Sequence, residues 1–261
     1  MEYGISLLSI IPVRKEPDER SEMITQILFG EYFSQLDDSA NWSYIQLETD
    51  HYRGWIDKKM VTAISRDTFE KLQQEKPFFV KDRFLNVKGS DNHSFPVPAG
   101  SSLPFLNRQN GEFQIEEKKF HAVVRPDQKI RYTSREELTG FSMLFLHSPY
   151  LWGGRTAMGI DCSGFTQLVY KVAGITIPRD AKDQVNEGNN LDFIDQAKPG
   201  DLVYFDNDEG EIIHTGILLP DHRIIHASGS VRIDTIDHQG IFNKDKSKYT
   251  HKLRIIKSFL K

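Results

Sequence analysis

Cysteine is the scarcest residue in this 261-residue chain: there is one, Cys162. A single thiol closes no internal disulfide and rules out zinc patterns built on paired cysteines. No apolar run is long enough to cross a bilayer. Neither sign of charge dominates: 33 Lys and Arg stand against 37 Asp and Glu, interspersed, for a net charge of −4. No basic footprint for nucleic acid is visible. The apolar N-terminal run lacks a basic n-region and a small-residue cleavage site, so it reads as a strand rather than a secretion signal. A cytoplasmic protein is the simplest expectation, with the periplasm or cell envelope as the alternative if a leader has been removed.

The lone thiol sits in a stretch of unusual composition. Residues Pro149 to Ile160 are rich in glycine and aromatics, and Asp161-Cys162-Ser-Gly-Phe leads straight into a helical pattern. Phe165, Leu168, Val169 and Val172 fall at i, i+3, i+4 and i+7, one stripe of a helix, and Gly174 follows as a stop. Cys162 then occupies the first turn, where free N–H groups and the helix dipole favour an anion and shift a thiol toward thiolate. A nucleophile is one reading. A buried structural thiol is the other.

The chain divides into three by pattern. Residues 1–64 read as short strands with turn signals: Ile5–Ile11, Met23–Phe29, the alternating Trp42–Leu47, and Tyr52–Ile56. A small β-barrel is expected. Residues 65–130 open on a short helix over Arg66–Gln74 and continue with strands at Phe78–Val80, Phe84–Val87, Leu103–Leu106, Phe113–Ile115 and His121–Val124. The prolines and glycine of Phe95–Gly100 mark a loop. A second, more degenerate barrel is expected there. Residues 131–261 begin with helices. Ser134-Arg-Glu-Glu137 is a capping box before the stripe Leu138, Phe141, Leu144 and Phe145. The Cys162 helix and a short helix over Ala181–Glu187 follow, with Asp192–Pro199 as a loop. Strands come after: Gly200–Phe205, Ile212–Leu219, Arg223–Ala227, Val231–Ile236 and Leu253–Ile256. Helices first and an antiparallel sheet afterwards is an α+β layout.

A thiol nucleophile needs a base, and the base needs a group to orient it. His214 and His226 lie on successive strands joined by the turn Pro220-Asp-His-Arg, inside apolar runs where histidine is unusual. The expected arrangement has His214 facing Cys162 and His226 behind it, holding the ring as Asp or Asn does in other triads. His222 sits in the turn and points away. The plain alternative is a pair of core histidines bonded to backbone.

Taken together, Tyr150-Leu-Trp-Gly-Gly, Gly159-Ile-Asp-Cys162-Ser-Gly-Phe, Pro178-Arg, Pro199-Gly-Asp-Leu-Val-Tyr-Phe, His214-Thr-Gly-Ile and His226-Ala-Ser resemble the NlpC/P60 cysteine peptidases. The resemblance covers residues 131 to 261. Upstream, Val13-Arg-Lys-Glu-Pro, Ser21–Glu31, Asn41-Trp42 and Tyr52-Arg-Gly-Trp-Ile resemble the bacterial SH3-like domain. The resemblance implies a papain-like catalytic domain behind two SH3-like barrels, and hydrolysis of peptidoglycan stem peptides at the γ-D-glutamyl bond to the diamino acid. The order of parts is similar to the branch of the family that recycles small freed muropeptides and demands a free N-terminal L-Ala. It implies catalytic roles for Cys162, His214 and His226, with no metal and no cofactor. Tyr150 and Trp152 would wall the cleft. Asp161 would offer its carboxylate to the substrate ammonium, Ser163 and Arg179 would donate to the D-Glu α-carboxylate, and Glu22 and Tyr52 of the first barrel would help hold the amine. The partners implied are small peptidoglycan-derived peptides, not nucleic acid or membrane. Two other readings stay open: an amidase or acyltransferase on the same fold, and a non-catalytic protein that binds cell-wall peptides.

Overall fold

A computed structural model describes residues 2–125 and 128–260. The chain falls into two compact units, Met1–Arg131 and Tyr132–Lys261.

The N-terminal unit is built from antiparallel strands. Seven of them, Tyr3–Ile5, Ile10–Arg14, Met23–Leu28, Tyr32–Ser39, Trp42–Leu47, Arg53–Asp57 and Thr62–Ile64, share one sheet. The alternation in Trp42–Leu47 resolves as the pattern requires: Ser43, Ile45 and Leu47 face inward. Ile45 and Leu47 pack there with Ile11, Val13, Ile27, Phe33 and Ile56. The expected strand Ile5–Ile11 is two strands. Tyr3–Ile5 pairs with Tyr32–Ser39, while Ile10–Arg14 pairs with Met23–Leu28. Between them Ser6 donates its N–H to Glu31 O, and its hydroxyl to Leu8 O. A chain that changes sheet partners has to break its extended run.

The helix Arg66–Gln74 forms as expected, with Ser65 Oγ accepting from the Thr68 N–H. A four-stranded sheet follows, in the order Ser94–Pro98, Phe84–Gly89, Lys118–Ala122, Glu112–Ile115, beside a two-stranded pair of Phe78–Phe79 and Ser102–Leu103. The strand Ser94–Pro98 replaces the loop expected there. It lies at the sheet edge, and Pro96 and Pro98, two residues apart, turn the same side outward, where no N–H is needed. The strand expected over Leu103–Leu106 stops at Leu103, because Pro104 follows and Phe105 takes φ 59°. One apolar cluster joins Ile5 and Ile64 of the first sheet, with Leu7 and Phe29 of its connecting segments, to Val87, Val97, Phe113 and Phe120 of the second region.

The C-terminal unit mixes helix and strand. Helix Arg135–Ser142 starts at the capping box, with Ser134 and Glu137 each accepting from the other's backbone N–H. Helix Cys162–Val172 packs on strands Ile212–Leu219 and Arg223–Ser228. Its stripe of Phe165, Leu168, Val169 and Val172 is fully buried, but so is most of its polar side. Thr166 Oγ1 therefore bonds Ser163 O and Gln184 Oε1, and Gln167 Nε2 donates to Ile177 O. The short helix ends earlier than expected, at Ala181–Gln184.

Six strands close on themselves into a barrel. In order they are Lys248–Ser258, Leu202–Asp206, Ile212–Leu219, Arg223–Ser228, Ser230–Asp237 and Gly240–Asn243, and the last pairs with the first again. The sequence pattern shows neither Gly240–Asn243 nor the first half of Lys248–Ser258. Residues 244–252 are mostly charged or polar and lie largely at the surface, so no apolar alternation marks them.

Candidate active site

Asp161 is the N-cap of the Cys162 helix and makes Cys162 its first residue. Asp161 Oδ1 accepts from the Gly164 N–H at 2.7 Å, and Oδ2 from the Gly153 N–H at 2.8 Å. The glycines here permit close approach. A Cβ on Gly164 would stand 2.6 Å from Gly154 O, so the Gly-rich loop lies directly on the first helical turn. That loop is held to the barrel by a bridge between Pro149 and Ser230, and it is closed on itself by one between Tyr150 and Ile160.

The thiol is buried, and the N–H of Thr215, the residue after His214, points at it. Burial pushes the Cys162 thiol up to about 12, and the Asp161 carboxylate adds to the rise. The N–H groups of Thr215 and Ser163 and the Arg179 charge pull the other way and lose. The thiolate-favouring shift expected from the helix start is therefore outweighed: the dipole is present, but desolvation of the charged form is larger. His214 moves in the complementary direction. Burial, then the neighbouring His226 and His251, hold it well below the usual imidazole range.

Behind His214 runs a chain of side chains. His214 Nε2 and His226 Nδ1 are 2.8 Å apart, and His226 Nε2 is 3.0 Å from Asp234 Oδ2. Arg232 grips Asp234 with two bonds, Nε to Oδ2 at 2.7 Å and Nη2 to Oδ1 at 2.9 Å, and also reaches Asp245 at 2.8 Å. The register explains the first contact. His226 is paired with Gly216, two residues beyond His214 and on the same face. A Cβ on Gly216 would stand 2.9 Å from His226 Cβ, so glycine lets the two imidazoles meet. His251 lies on the ring of His214, with centroids 4.2 Å apart and planes at 25°, and its Nδ1 is 2.9 Å from Thr250 Oγ1. Phe205 backs both rings.

Sequence reasoning brings Cys162, His214 and His226 together but misses Asp234, Arg232 and His251. Asp234 carries a weaker signal, being a carboxylate inside the strand Ser230–Asp237, where Asp is disfavoured, but among Ser230, Arg232, Thr235 and Asp237 of the same strand. His251 carries none, because it lies in the charged stretch that hides its strand.

The remaining expected residues divide by location. Tyr150 is half-buried, and its phenol is pushed up to about 12 by burial and then by the charges of Cys162 and Asp161. Trp152 is exposed on the same loop. Asp161 and Arg179 have a different bond from the one expected of them. Arg179, fully buried, meets Asp161 with Nη2 on Oδ2 at 2.6 Å and Nη1 on Oδ1 at 3.0 Å, and its Nη1 also reaches Ser163 Oγ at 3.0 Å. The Asp161 carboxylate thus accepts from Gly153, Gly164 and Arg179 before any substrate amine is considered. Arg179, a buried cation, needs that negative charge beside it. Glu22 and Tyr52 belong to the N-terminal unit. Glu22 is exposed and 3.4 Å from Lys15 Nζ, and Tyr52 packs on the Ile11, Ile45 and Ile56 cluster of its own sheet.

Donor atoms of His214, His226 and His251 lie within 4.8 Å of one another. They do not form a converging ligand set. His214 Nε2 and His226 Nδ1 are bonded to each other, His226 Nε2 is on Asp234, and His251 lies face-on to His214. The arrangement suits relaying a proton better than holding an ion.

Residues 147–250 match the NlpC/P60 family, and residues 13–60 match the bacterial dipeptidyl-peptidase Sh3 domain. The gamma-D-glutamyl-L-lysine dipeptidyl-peptidase of Bacillus cereus is 27% identical over 234 residues, covering 81% of this chain and 69% of that protein. Dipeptidyl-peptidase 6 of Lysinibacillus sphaericus is 26% identical over 247 residues, covering 86% of this chain and 88% of its own. The crystal structure of an NlpC/P60 family protein from Bacillus cereus superposes with a TM-score of 0.82 at 22% identity, over 99% of this chain and 100% of that one, and shares its fold. Among the described residues no helix is long and apolar enough to cross a membrane.

Proposed function

The chain belongs to the NlpC/P60 family of cysteine peptidases and carries a bacterial SH3 domain ahead of the peptidase domain, and from that premise we propose that it cleaves peptidoglycan stem peptides at the γ-D-glutamyl bond to the diamino acid. The observation that carries the reading is the buried Cys162 at a helix start, with the strand of His214 against it and the His214–His226 contact behind. The names of the Bacillus cereus and Lysinibacillus sphaericus relatives support peptide cleavage of this class.

Cys162 is the nucleophile and His214 the base. Burial favours the neutral forms of both in the resting site, so the proton crosses from Sγ to His214 as the thiol attacks the γ-carbonyl carbon. The S–C bond forms, and the carbonyl oxygen becomes an oxyanion. The Cys162 N–H at the helix start and the Tyr150 hydroxyl stabilise it. The protonated His214 gives its proton to the leaving amine as the C–N bond breaks. Neutral His214 then takes a proton from water, whose oxygen attacks the thioester and returns the thiol.

On recognition, Trp152 and Tyr150 wall the cleft, and Ser163 and Arg179 draw the D-Glu α-carboxylate. Asp161 holds Arg179 and the helix start and offers its carboxylate to the substrate ammonium. Glu22 and Tyr52 of the SH3-like unit are our choices for the free ammonium of L-Ala. We read the N-terminal unit as two β modules, residues 1–64 and 65–130, ahead of a catalytic module at 131–261. The role is recycling of freed muropeptides, in the cytoplasm.

The test is mass analysis of products from L-Ala-γ-D-Glu-L-Lys, its diaminopimelate analogue and their N-acetylated forms. Release of L-Ala-γ-D-Glu by the native protein, with none from folded Cys162→Ala, is expected. Acetylation of the alanine should cut the rate by at least about tenfold, the worth of a lost charged contact of ~1.4 kcal/mol. Turnover by Cys162→Ala would sink the mechanism, and equal rates on free and blocked peptides would sink recognition of the amine.

A further inference from the structure

The group behind the histidine pair is a carboxylate, and what it does follows from which atoms can donate. Asp234 Oδ2 is 3.0 Å from His226 Nε2, and Asp234 is 6% exposed, on the strand next to that of His226. An ionised carboxylate only accepts hydrogen bonds. His226 Nε2 must then carry the proton and donate it. In a neutral imidazole the other nitrogen is an acceptor, so His226 Nδ1 presents a lone pair to His214 Nε2, 2.8 Å away. His214 Nε2 must in turn be the protonated nitrogen, and the lone pair of His214 is left on Nδ1. One carboxylate thus dictates the tautomers of two imidazoles in series.

From this geometry we infer that Asp234 is a positioning residue which, through His226, keeps His214 in the tautomer whose Nδ1 is free to take the thiol proton. The inference rests on Cys162 and His214 being nucleophile and base. Arg232 makes the device rigid. Its two bonds to Asp234 fix the carboxylate plane, and a third to Asp245 fixes Arg232. Burial would raise the Asp234 carboxyl, but the bonds from His226 and Arg232 overcome that and hold it at about 2, so it is an acceptor throughout the working range. Among the described residues, the titratable and charged groups set against the imidazole pair are His251, Asp234 and, through Asp234, Arg232, with Cys162 against the N–H of Thr215 beside His214. Of these, Asp234 is the acidic group hydrogen-bonded to His226. Without it, His226 can as well carry its proton on Nδ1 and donate to His214 Nε2. His214 then holds its proton on Nδ1 and has no lone pair there for the thiol.

Imidazole nitrogen chemical shifts read the tautomers directly. In 15N-histidine-labelled Cys162→Ala protein near pH 7, where no turnover is needed, His226 should show protonated Nε2 and unprotonated Nδ1, and His214 the same. The reverse tautomer on either ring overturns the inference and leaves the choice of nucleophile untouched. In protein with Cys162 intact, Asp234→Ala should lower kcat at least tenfold with KM changed less than threefold, and move the acid limb of the kcat profile. Asp234→Glu should recover part of the loss. A kcat within twofold of native for folded Asp234→Ala overturns it as well. If Asp234→Ala does not fold, the tautomer spectrum of the Cys162→Ala protein still decides.

Discussion

Replacing Asp161 by asparagine tests whether that carboxylate serves the fold as well as the substrate. Asn caps helices about as well as Asp, so the bond to the Gly164 N–H survives in kind, and the change removes mainly the negative charge. What remains is the Arg179 guanidinium, 1% exposed, whose pairing with Asp161 at 2.6 Å is then gone. Breaking a buried pair by removing one partner costs about 3–5 kcal/mol, because the other charge is stranded. Asp161→Asn should therefore destabilise the C-terminal unit by about that much. Arg179→Met alone should cost somewhat less, since Asp161 keeps two backbone donors. The double variant should be much better than the sum, with a coupling of about 2 kcal/mol or more. Amide hydrogen exchange of the Cys162–Val172 helix is a suitable assay, because it reports this unit separately from the N-terminal one. A loss of 3 kcal/mol corresponds to roughly a hundredfold faster exchange where opening limits it. If Asp161→Asn exchanges within tenfold of native while KM for the free-amine peptide rises, the carboxylate serves the substrate alone and the reasoning fails.

Other predictions concern close contacts and protons. Gly164→Ala should destabilise the protein despite the better helix propensity of alanine, since the new Cβ meets the backbone oxygen of Gly154 at 2.6 Å; a thermal melt at or above the native midpoint would contradict it. His214 and His251 are both held below the usual imidazole range by burial, His251 at about 4. The unfolded chain binds their protons near pH 6.5 and the folded one does not, so stability is full above that pH and falls as pH drops below it. His251→Phe keeps a flat ring on His214 and should reduce that slope by up to about 1.4 kcal/mol per pH unit between pH 6 and 4.5 in urea unfolding. An unchanged slope would mean His251 titrates normally in the fold. Asp234, held at about 2, works in the opposite window: its contribution is present above about pH 4 and disappears as pH falls toward 2. Arg232→Met should bring that acid loss to higher pH in the same measurement.

Short-range chemistry was legible from the residues alone. The capping box at Ser134 and Glu137, the helix start at Cys162, the helix Arg66–Gln74 and the alternation of Trp42–Leu47 depend on neighbours within a few positions, and they form as the pattern requires. The meeting of His214 and His226 was also within reach, because a tight turn links their strands. Other features depend on which distant segments pack together. The edge position that tolerates Pro96 and Pro98 exists only once the sheet order is set. Arg179 takes Asp161 because both are buried at one spot, and a charge removed from water must find its opposite. Asp234 reaches His226, and His251 covers His214, through pairings made by the closing barrel. The direction of the thiol shift belongs here too. The helix start at Cys162 can be read from sequence and favours the thiolate, but how much water the fold leaves around the sulfur is a tertiary property, and its removal is the larger effect.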